Sequence, residues 1–436
     1  MKEVNFGVIG FGTVGSGVVK LFLENKEEIE KRLNFKLNLK KVADKLLKSK
    51  EGVKIPKSML TADAYEIIND KDIDIVVELV GGTGIAKTFI LDAIKEGKHV
   101  VTANKALLSE FGEEIFDACE KYNKMIGFEA SVGGVIPIIR PLKENLAGDK
   151  VESVYGIMNG TCNYILTRMT EEGLDFGEVL REAQKKGYAE ANPSLDVDGI
   201  DAAHKLAILT ALSFGVKVDF EDLYKEGITK ITNIDIKFAS DFGYVIKLLG
   251  ISKKVADGIE ARVHPTLIPK SHPLANVRME YNAIFVKGYA SGPILLYGKG
   301  AGMMPTASAI LGDVIDIARN IANGNKISVP NRGYVKTAMK KIKPKKISET
   351  ENKFYIRMIV ADKPGVLAAI SGILGRRKIS IASVIQKGRD EKGVGVPLVI
   401  VTHETKEKEL TKAFEEIKEL DFCLEEPLFI RIEENI

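Results

Sequence analysis

The segment Gly10-Phe11-Gly12-Thr13-Val14-Gly15 constrains this chain more than any other stretch. It follows an apolar run at 5–10 (NFGVIG) and opens a helical pattern with apolar residues at Val14, Val18, Leu21 and Phe22. In such a strand–loop–helix, Gly10 permits the tight turn, Gly12 lets the backbone approach a pyrophosphate, and Gly15 lets helix and strand close on each other. The N–H groups at the helix start and the positive end of its dipole favour phosphate there. The loop, with Phe11, Thr13 and Val14 between its glycines, therefore reads as a dinucleotide cradle. At the end of the second strand, Asp44 is placed for the ribose hydroxyls of NAD and Lys45 for the extra phosphate of NADP. The cofactor is thus read as NAD(P), with the choice between the two left open.

Strand-like runs at 5–10, 37–43, 73–80, 99–104 and 124–130 alternate with helical patterns such as 85–96 and 109–122. The runs are almost continuously apolar, as expected for strands covered by helices on both faces. This predicts an α/β, doubly wound parallel sheet of Rossmann type over 1–135. From 136 to 250 helices are expected to dominate, with strand-like runs at 150–158, 259–265 and 282–297. A helix at about 306–322 follows, which could pack back on the nucleotide domain. Residues 136–325 read as an α+β substrate and dimerisation domain. The stretch 326–352 includes the run KKIKPKK and reads as a solvated linker. Residues 353–436 follow a βαββαβ order, which is the ferredoxin-like plan.

The 436 residues carry 63 basic and 60 acidic side chains, a net charge of +3, which gives no electrostatic reason to expect nucleic acid or an anionic membrane as partner. Three cysteines, Cys119, Cys162 and Cys423, form no CxxC pair, which argues for a reducing compartment and against a thiolate zinc site. The start MKEVNFGVIG enters a strand directly, and no apolar run approaches the roughly 20 residues of a membrane span. A cytoplasmic protein is expected.

Chemistry concentrates in 183–205, AQKKGYAEANPSLDVDGIDAAHK. Asp201 and Lys205 are four residues apart on a predicted helix and share a face. On spacing alone they could be an ordinary exposed ion pair worth a few tenths of a kcal/mol. Glu190, Asp196 and Asp198 stand just before them, however, so polar groups are dense at the start of an apolar helix. A carbonyl reduction needs a proton donor, for which a lysine is suited, and an amino-acid substrate needs a carboxylate such as Glu190 or Asp201. Lys105, in VTANK, lies at the carboxyl end of a strand, where open α/β sheets bind ligands. His204 is read as a packed or capping residue and Cys162 as a buried small side chain without a histidine partner, while His264 and His272 flank prolines in an expected loop and make no metal-ligand spacing.

These segments together resemble homoserine dehydrogenase over nearly the first 325 residues. The matching motifs are GFGTVGSG at 10–17, VTANK at 101–105, EASVGGVIP at 129–137, NGTCNYIL at 159–166, the whole of 183–205, and GKGAGMMPTASAILGD at 298–313. The resemblance implies that Lys205 gives a proton to the aldehyde oxygen and that Lys105 is a second active-site lysine. It implies that Glu190 and Asp201 bind the substrate, and that Gly187 and Gly302 lie near the cofactor. Glu129, Val132, Gly134 and Ile136 match a monovalent-cation site, usually sodium, held by a carboxylate and main-chain carbonyls. The implied reaction is NAD(P)H-dependent reduction of L-aspartate 4-semialdehyde to L-homoserine, on the way to threonine, methionine and isoleucine.

The last domain resembles an ACT module, through Asp362-Lys363-Pro364-Gly365-Val366-Leu367 and the second-strand segment ending in Ile381. N–H groups of its first turn are suited to an effector carboxylate. The resemblance implies threonine as effector, in a monofunctional enzyme that is a homodimer or a dimer of dimers; a dimerisation module without ligand is the competing reading. Other readings of the whole chain are a different two-domain reductase, acting on a sugar or a ring imine, and a non-enzymatic amino-acid sensor.

Overall fold

The computed structural model describes residues 2–48, 52–324, 327–388 and 394–436. The division placed at 325–326 lies outside the described residues. Packing divides the chain into two compact units that do not follow it linearly. One comprises Met1–Met158, Ala203–Asp222 and Tyr281–Lys343; the other comprises Asn159–Ala202, Leu223–Glu280 and Pro344–Ile436. Residues 136–325 are therefore shared between both.

The first unit is built on six parallel strands: β1 (Glu3–Ile9), β2 (Lys36–Ala43), β3 (Leu60–Thr61), β4 (Ile75–Glu78), β5 (His99–Thr102) and β6 (Ile126–Gly127), in the order β3-β2-β1-β4-β5-β6. The order reverses between β1 and β4, and a crevice opens there at the carboxyl ends of the strands. Helix α1 (Thr13–Glu24) leaves β1 through the glycine loop. Its buried face, Val18, Val19 and Phe22, packs with Ala307, Ile310, Leu311 and Val314 of the Met303–Ala322 helix. Each such aliphatic side chain, fully buried, contributes roughly 1.5–3 kcal/mol. Gly17 makes the approach possible, since a Cβ there would sit 2.9 Å from the Met303 carbonyl oxygen. The first turns of the two helices thus lie side by side. An antiparallel set, Gly292–Lys299, Tyr281–Gly288 and Val151–Ile157, also belongs to this unit. The run read as one strand at 282–297 is a hairpin.

The second unit centres on an antiparallel hairpin, Tyr244–Val255 and Gly258–Pro269. The first of these strands falls where helices were expected. The C-terminal part has the expected βαββαβ order, its strands being Glu351–Val360, Ile381–Gln386, Val396–Thr402 and Leu428–Ile432. The last strand lies against Glu351–Val360 on one side and pairs in parallel with Gly258–Pro269 on the other, Thr266 opposite Arg431 and Leu267 opposite Ile432.

The segment expected to be a solvated linker is tied down instead. Asn331 accepts from the Ile126 N–H and donates to the Lys124 carbonyl, at 3.0 and 2.8 Å. Arg332, buried, pairs with Glu113 and Asp117. Lys340–Lys341 pairs as a short strand with Val216–Lys217, and Lys341, Lys343 and Lys345 face Asp219, Asp222 and Asp257. Alternating charge and one conformationally fixed arginine, invisible as periodicity, explain the difference.

Candidate active site

At the carboxyl ends of β1, β2 and β4 a cleft of 520 Å³ is lined by Gly10, Gly12, Asp44, Lys45, Asp63 and Val80, among others. The glycines divide as the sequence predicts. Gly10 sits at φ +103° with Leu79 carbonyl atoms 2.7 Å from its would-be Cβ, and a Cβ on Gly15 would lie 1.9 Å from the Gly10 carbonyl oxygen. At Gly12 nothing comes within 4 Å, so the backbone is open to a ligand. Asp44 does more than end the strand. Its two carboxylate oxygens accept the Phe11 N–H at 2.7 Å and the Leu46 N–H at 2.8 Å, fixing the loop from the side. Lys45 is exposed. Gly302, at φ +122°, precedes the Met303–Ala322 helix, whose first turn adjoins α1. Residues of this kind fit a dinucleotide pyrophosphate.

Lys105 begins the Lys105–Lys121 helix and is half-buried. Asn104 caps that helix, accepting from the Leu107 N–H at 3.1 Å, and donates to the Gly82 carbonyl at 2.6 Å.

Asp201 and Lys205 are on the Ile200–Phe214 helix, each only 8% exposed. They are therefore not the exposed pair that spacing alone allowed. Lys205 Nζ donates to the Met158 carbonyl at 2.6 Å. Asp201 accepts from Asn159 Nδ2 at 3.0 Å, and the same amide group donates to Asp196 at 2.7 Å. Asn159 also caps the Gly160–Glu172 helix through the Cys162 N–H. Two successive residues, Met158 and Asn159, thus hold both ends of the lysine–aspartate pair. Asn159 was missed as a positioning residue; its motif was noticed, but nothing in sequence ties position 159 to 196 and 201. Glu190 is exposed, on the turn that contains Gly187 at φ +74°. That turn is bound to the Asn159 cluster by Thr161, which donates to the Tyr188 carbonyl at 2.6 Å and to Asp196 at 3.3 Å.

The Glu129 carboxylate of the cation reading accepts three N–H groups, from Ile138, Ile139 and Arg140, at 2.5, 2.7 and 2.9 Å, and so serves as the cap of a helical turn. Those bonds leave one acceptor position on the carboxylate beside the main-chain oxygens of Glu129, Val132, Gly134 and Ile136. Beside it, Asp313 is buried and accepts the Glu129 N–H at 2.8 Å. Burial and the Glu129 carboxylate push its pKa up to about 7. Such a group costs nothing below its unfolded pKa of 3.8 and penalises folding increasingly as pH rises to its folded value. Asp313→Asn is expected to stabilise the protein by at least ~1 kcal/mol at about pH 8, the difference shrinking as pH falls and closing only towards about pH 4. Thermal melts across that range check it, and a pH-independent difference would contradict it.

His204 meets Ser109 Oγ through Nδ1 at 2.6 Å and stacks on Phe220, while His272 accepts from the Leu274 N–H. His264 is fully buried against Arg262, and burial lowers its pKa. Cys162 is buried with its thiol on the Asp196 carbonyl. All four act structurally. In the C-terminal part, Gly365 stands at φ +92° before the Val366–Arg376 helix; Asp362 and Leu367 are exposed, Val366 is buried and Ile381 half-buried.

A dinucleotide cradle opening at the switch point of a Rossmann sheet, with a buried lysine–aspartate helix elsewhere on the chain, defines an NAD(P)-dependent oxidoreductase. Family models described as "Homoserine dehydrogenase, NAD binding domain", "Homoserine dehydrogenase" and "ACT domain" match residues 10–129, 137–315 and 354–422. Homoserine dehydrogenase of Neisseria gonorrhoeae is 45% identical over 434 residues, 99% of each chain, and that of Bacillus subtilis 39% identical over 438 residues, covering 100% of this chain and 99% of its own. A solved homoserine dehydrogenase from Thiobacillus denitrificans superposes with a TM-score of 0.92 at 40% identity, over 100% of this chain and 99% of its own. A hyperthermophilic archaeal homoserine dehydrogenase, solved in complex with NADPH, matches 73% of this chain and 98% of its own at 25% identity, with a TM-score of 0.61. The chain belongs to the homoserine dehydrogenase family. Among the described residues no helix is long and apolar enough to cross a membrane.

Proposed function

We propose that the chain reduces L-aspartate 4-semialdehyde to L-homoserine, in the pathway to threonine, methionine and isoleucine, in the cytoplasm. When bound, the reduced nicotinamide dinucleotide supplies the hydride. Lys205 Nζ gives the proton to the aldehyde oxygen as negative charge develops on it. Met158 fixes the direction of that ammonium, so little reorientation is left to the reaction step. Asp201, oriented by Asn159, and Glu190 hold the polar ends of the substrate. Lys105 lies at the carboxyl end of β5, where it serves the substrate and the nicotinamide. The observation that carries this reading is the burial of Asp201 and Lys205 together with their fixed partners. A buried charged pair is costly to keep unless it has a task or full compensation.

Either NAD(P) form suits a cleft that offers both Asp44 and Lys45; the NADPH complex of the archaeal relative favours the phosphorylated one. Sodium, where bound, is held by the main-chain oxygens at 129, 132, 134 and 136. Threonine acts as feedback effector on the Asp362–Leu367 turn, where helix N–H groups suit its carboxylate. The working form is at least a dimer.

The test is oxidation of each reduced cofactor by the purified chain with aspartate semialdehyde, with and without threonine. Rapid oxidation that threonine suppresses is the expected result. Absence of turnover with either cofactor, despite cofactor binding, would sink the catalytic reading; turnover indifferent to threonine would sink only the regulatory one.

A further inference from the structure

Glu78 ends an otherwise apolar strand, yet its side chain is 1% exposed. A carboxylate so placed is expensive unless its oxygens are satisfied. Here they are satisfied by the loop that follows β4 and by the last residue of β5. Oε1 accepts the N–H of Val80 at 2.7 Å and, more weakly, that of Gly81 at 3.4 Å. Oε2 accepts the Thr102 hydroxyl at 2.9 Å. Thr102 Oγ1 in turn accepts the Asn104 N–H at 3.1 Å, and Asn104 caps the helix that begins with Lys105. Asn104 Nδ2 closes the ring by donating to the Gly82 carbonyl. Register puts Ile9, Glu78 and Thr102 on one rung, the last of β1, β4 and β5, where the crevice opens.

We propose that Glu78 is a positioning residue for the reduction: through Thr102 and Asn104 it sets where Lys105 stands relative to the cofactor loop at 79–82. This rests on the reading that Lys105 works at the substrate. The carboxylate matters for a reason of polarity. Thr102 gives its one O–H to Glu78 and one of its two lone pairs to the Asn104 N–H. In Glu78→Gln the amide oxygen can still take the Val80 N–H, but the NH₂ then donates to the second lone pair of Thr102 and the hydroxyl proton loses its acceptor. The loop contact survives and the link to Asn104 and Lys105 loosens.

The test compares Glu78→Gln, Thr102→Val, Thr102→Ser and the double variant Glu78→Gln/Thr102→Val in the full chain. Steady-state rates, cofactor affinity by nicotinamide fluorescence and melting temperature are measured, with Lys105→Ala alongside. Glu78→Gln and Thr102→Val are expected to lower kcat by about tenfold or more, because small misplacements of a reacting group are costly. Cofactor Kd should stay within about twofold, and the double variant should be no worse than either single one. Thr102→Ser, which keeps the hydroxyl, should restore the rate. Wild-type kcat in Glu78→Gln beside an impaired Lys105→Ala overturns this role and leaves Lys105 standing. A fully active Lys105→Ala overturns both. Parallel losses of kcat, cofactor affinity and melting temperature reduce Glu78 to a structural residue.

Discussion

Lys205→Ala is expected to lower kcat by about 10²–10⁴-fold while cofactor affinity stays close to that of the unaltered chain. The lysine is nearly buried and its ammonium is directed by the Met158 carbonyl, so the side chain arrives at the substrate with its direction already chosen. On the proposed mechanism, removing it takes away the proton donor and leaves a reduced carbonyl oxygen without one. Lys205→Met fills most of the same volume and separates lost proton transfer from a cavity. Single-turnover reduction with saturating cofactor reads the reaction step directly. A variant that keeps kcat but raises KM would show Lys205 to be a binding group only.

The second large effect concerns stability. Asp235→Ala is expected to cost ~3–5 kcal/mol, the range for breaking a buried ion pair on one side. Asp235 is fully buried, and one oxygen accepts from Arg357 Nε at 2.7 Å and the Tyr355 hydroxyl at 3.1 Å. The other takes the N–H and hydroxyl of Thr232, closing the capping box of the Asn233–Asp241 helix. Alanine would leave the nearly buried Arg357 guanidinium with only the more distant Glu425, at 3.7 Å, and remove the carboxylate half of the capping box in one step. Urea unfolding followed by circular dichroism measures it. A loss below ~1 kcal/mol would mean that water or a neighbouring carboxylate takes over.

How much of this was readable beforehand varies with the kind of signal. The parallel sheet was legible because IDIVVE and HVVT are continuously apolar and β-branched, and because each glycine at 10–15 has a separate steric task. The strand Tyr244–Val255 was not foreseen, since YVIKLLGISKKV carries an apolar run of ambiguous period. At the site, one helix face joined Lys205 and Asp201 in sequence, but only the dense polar residues before it and the resemblance lifted them above an ordinary ion pair. Asn159 could not be joined to them, because its partners stand 37 and 42 residues away. Glu129 adds a second case. A carboxylate in a matched motif was assigned to a cation, whereas three backbone N–H groups already use it. Hydrogen-bond commitments of this kind leave no trace in residue order.

The parallel pairing of Leu428–Ile432 with Gly258–Pro269 makes the tail something other than a bead on a string. Cut away from residue 350 onward, the chain would keep a twelve-residue strand with part of one edge stripped of its ladder. Arg262, buried inside, would lose Glu433 and Asn352 at once. Bare edges of that sort invite pairing between molecules. This chain therefore cannot shed the tail without first rebuilding the flank it seals.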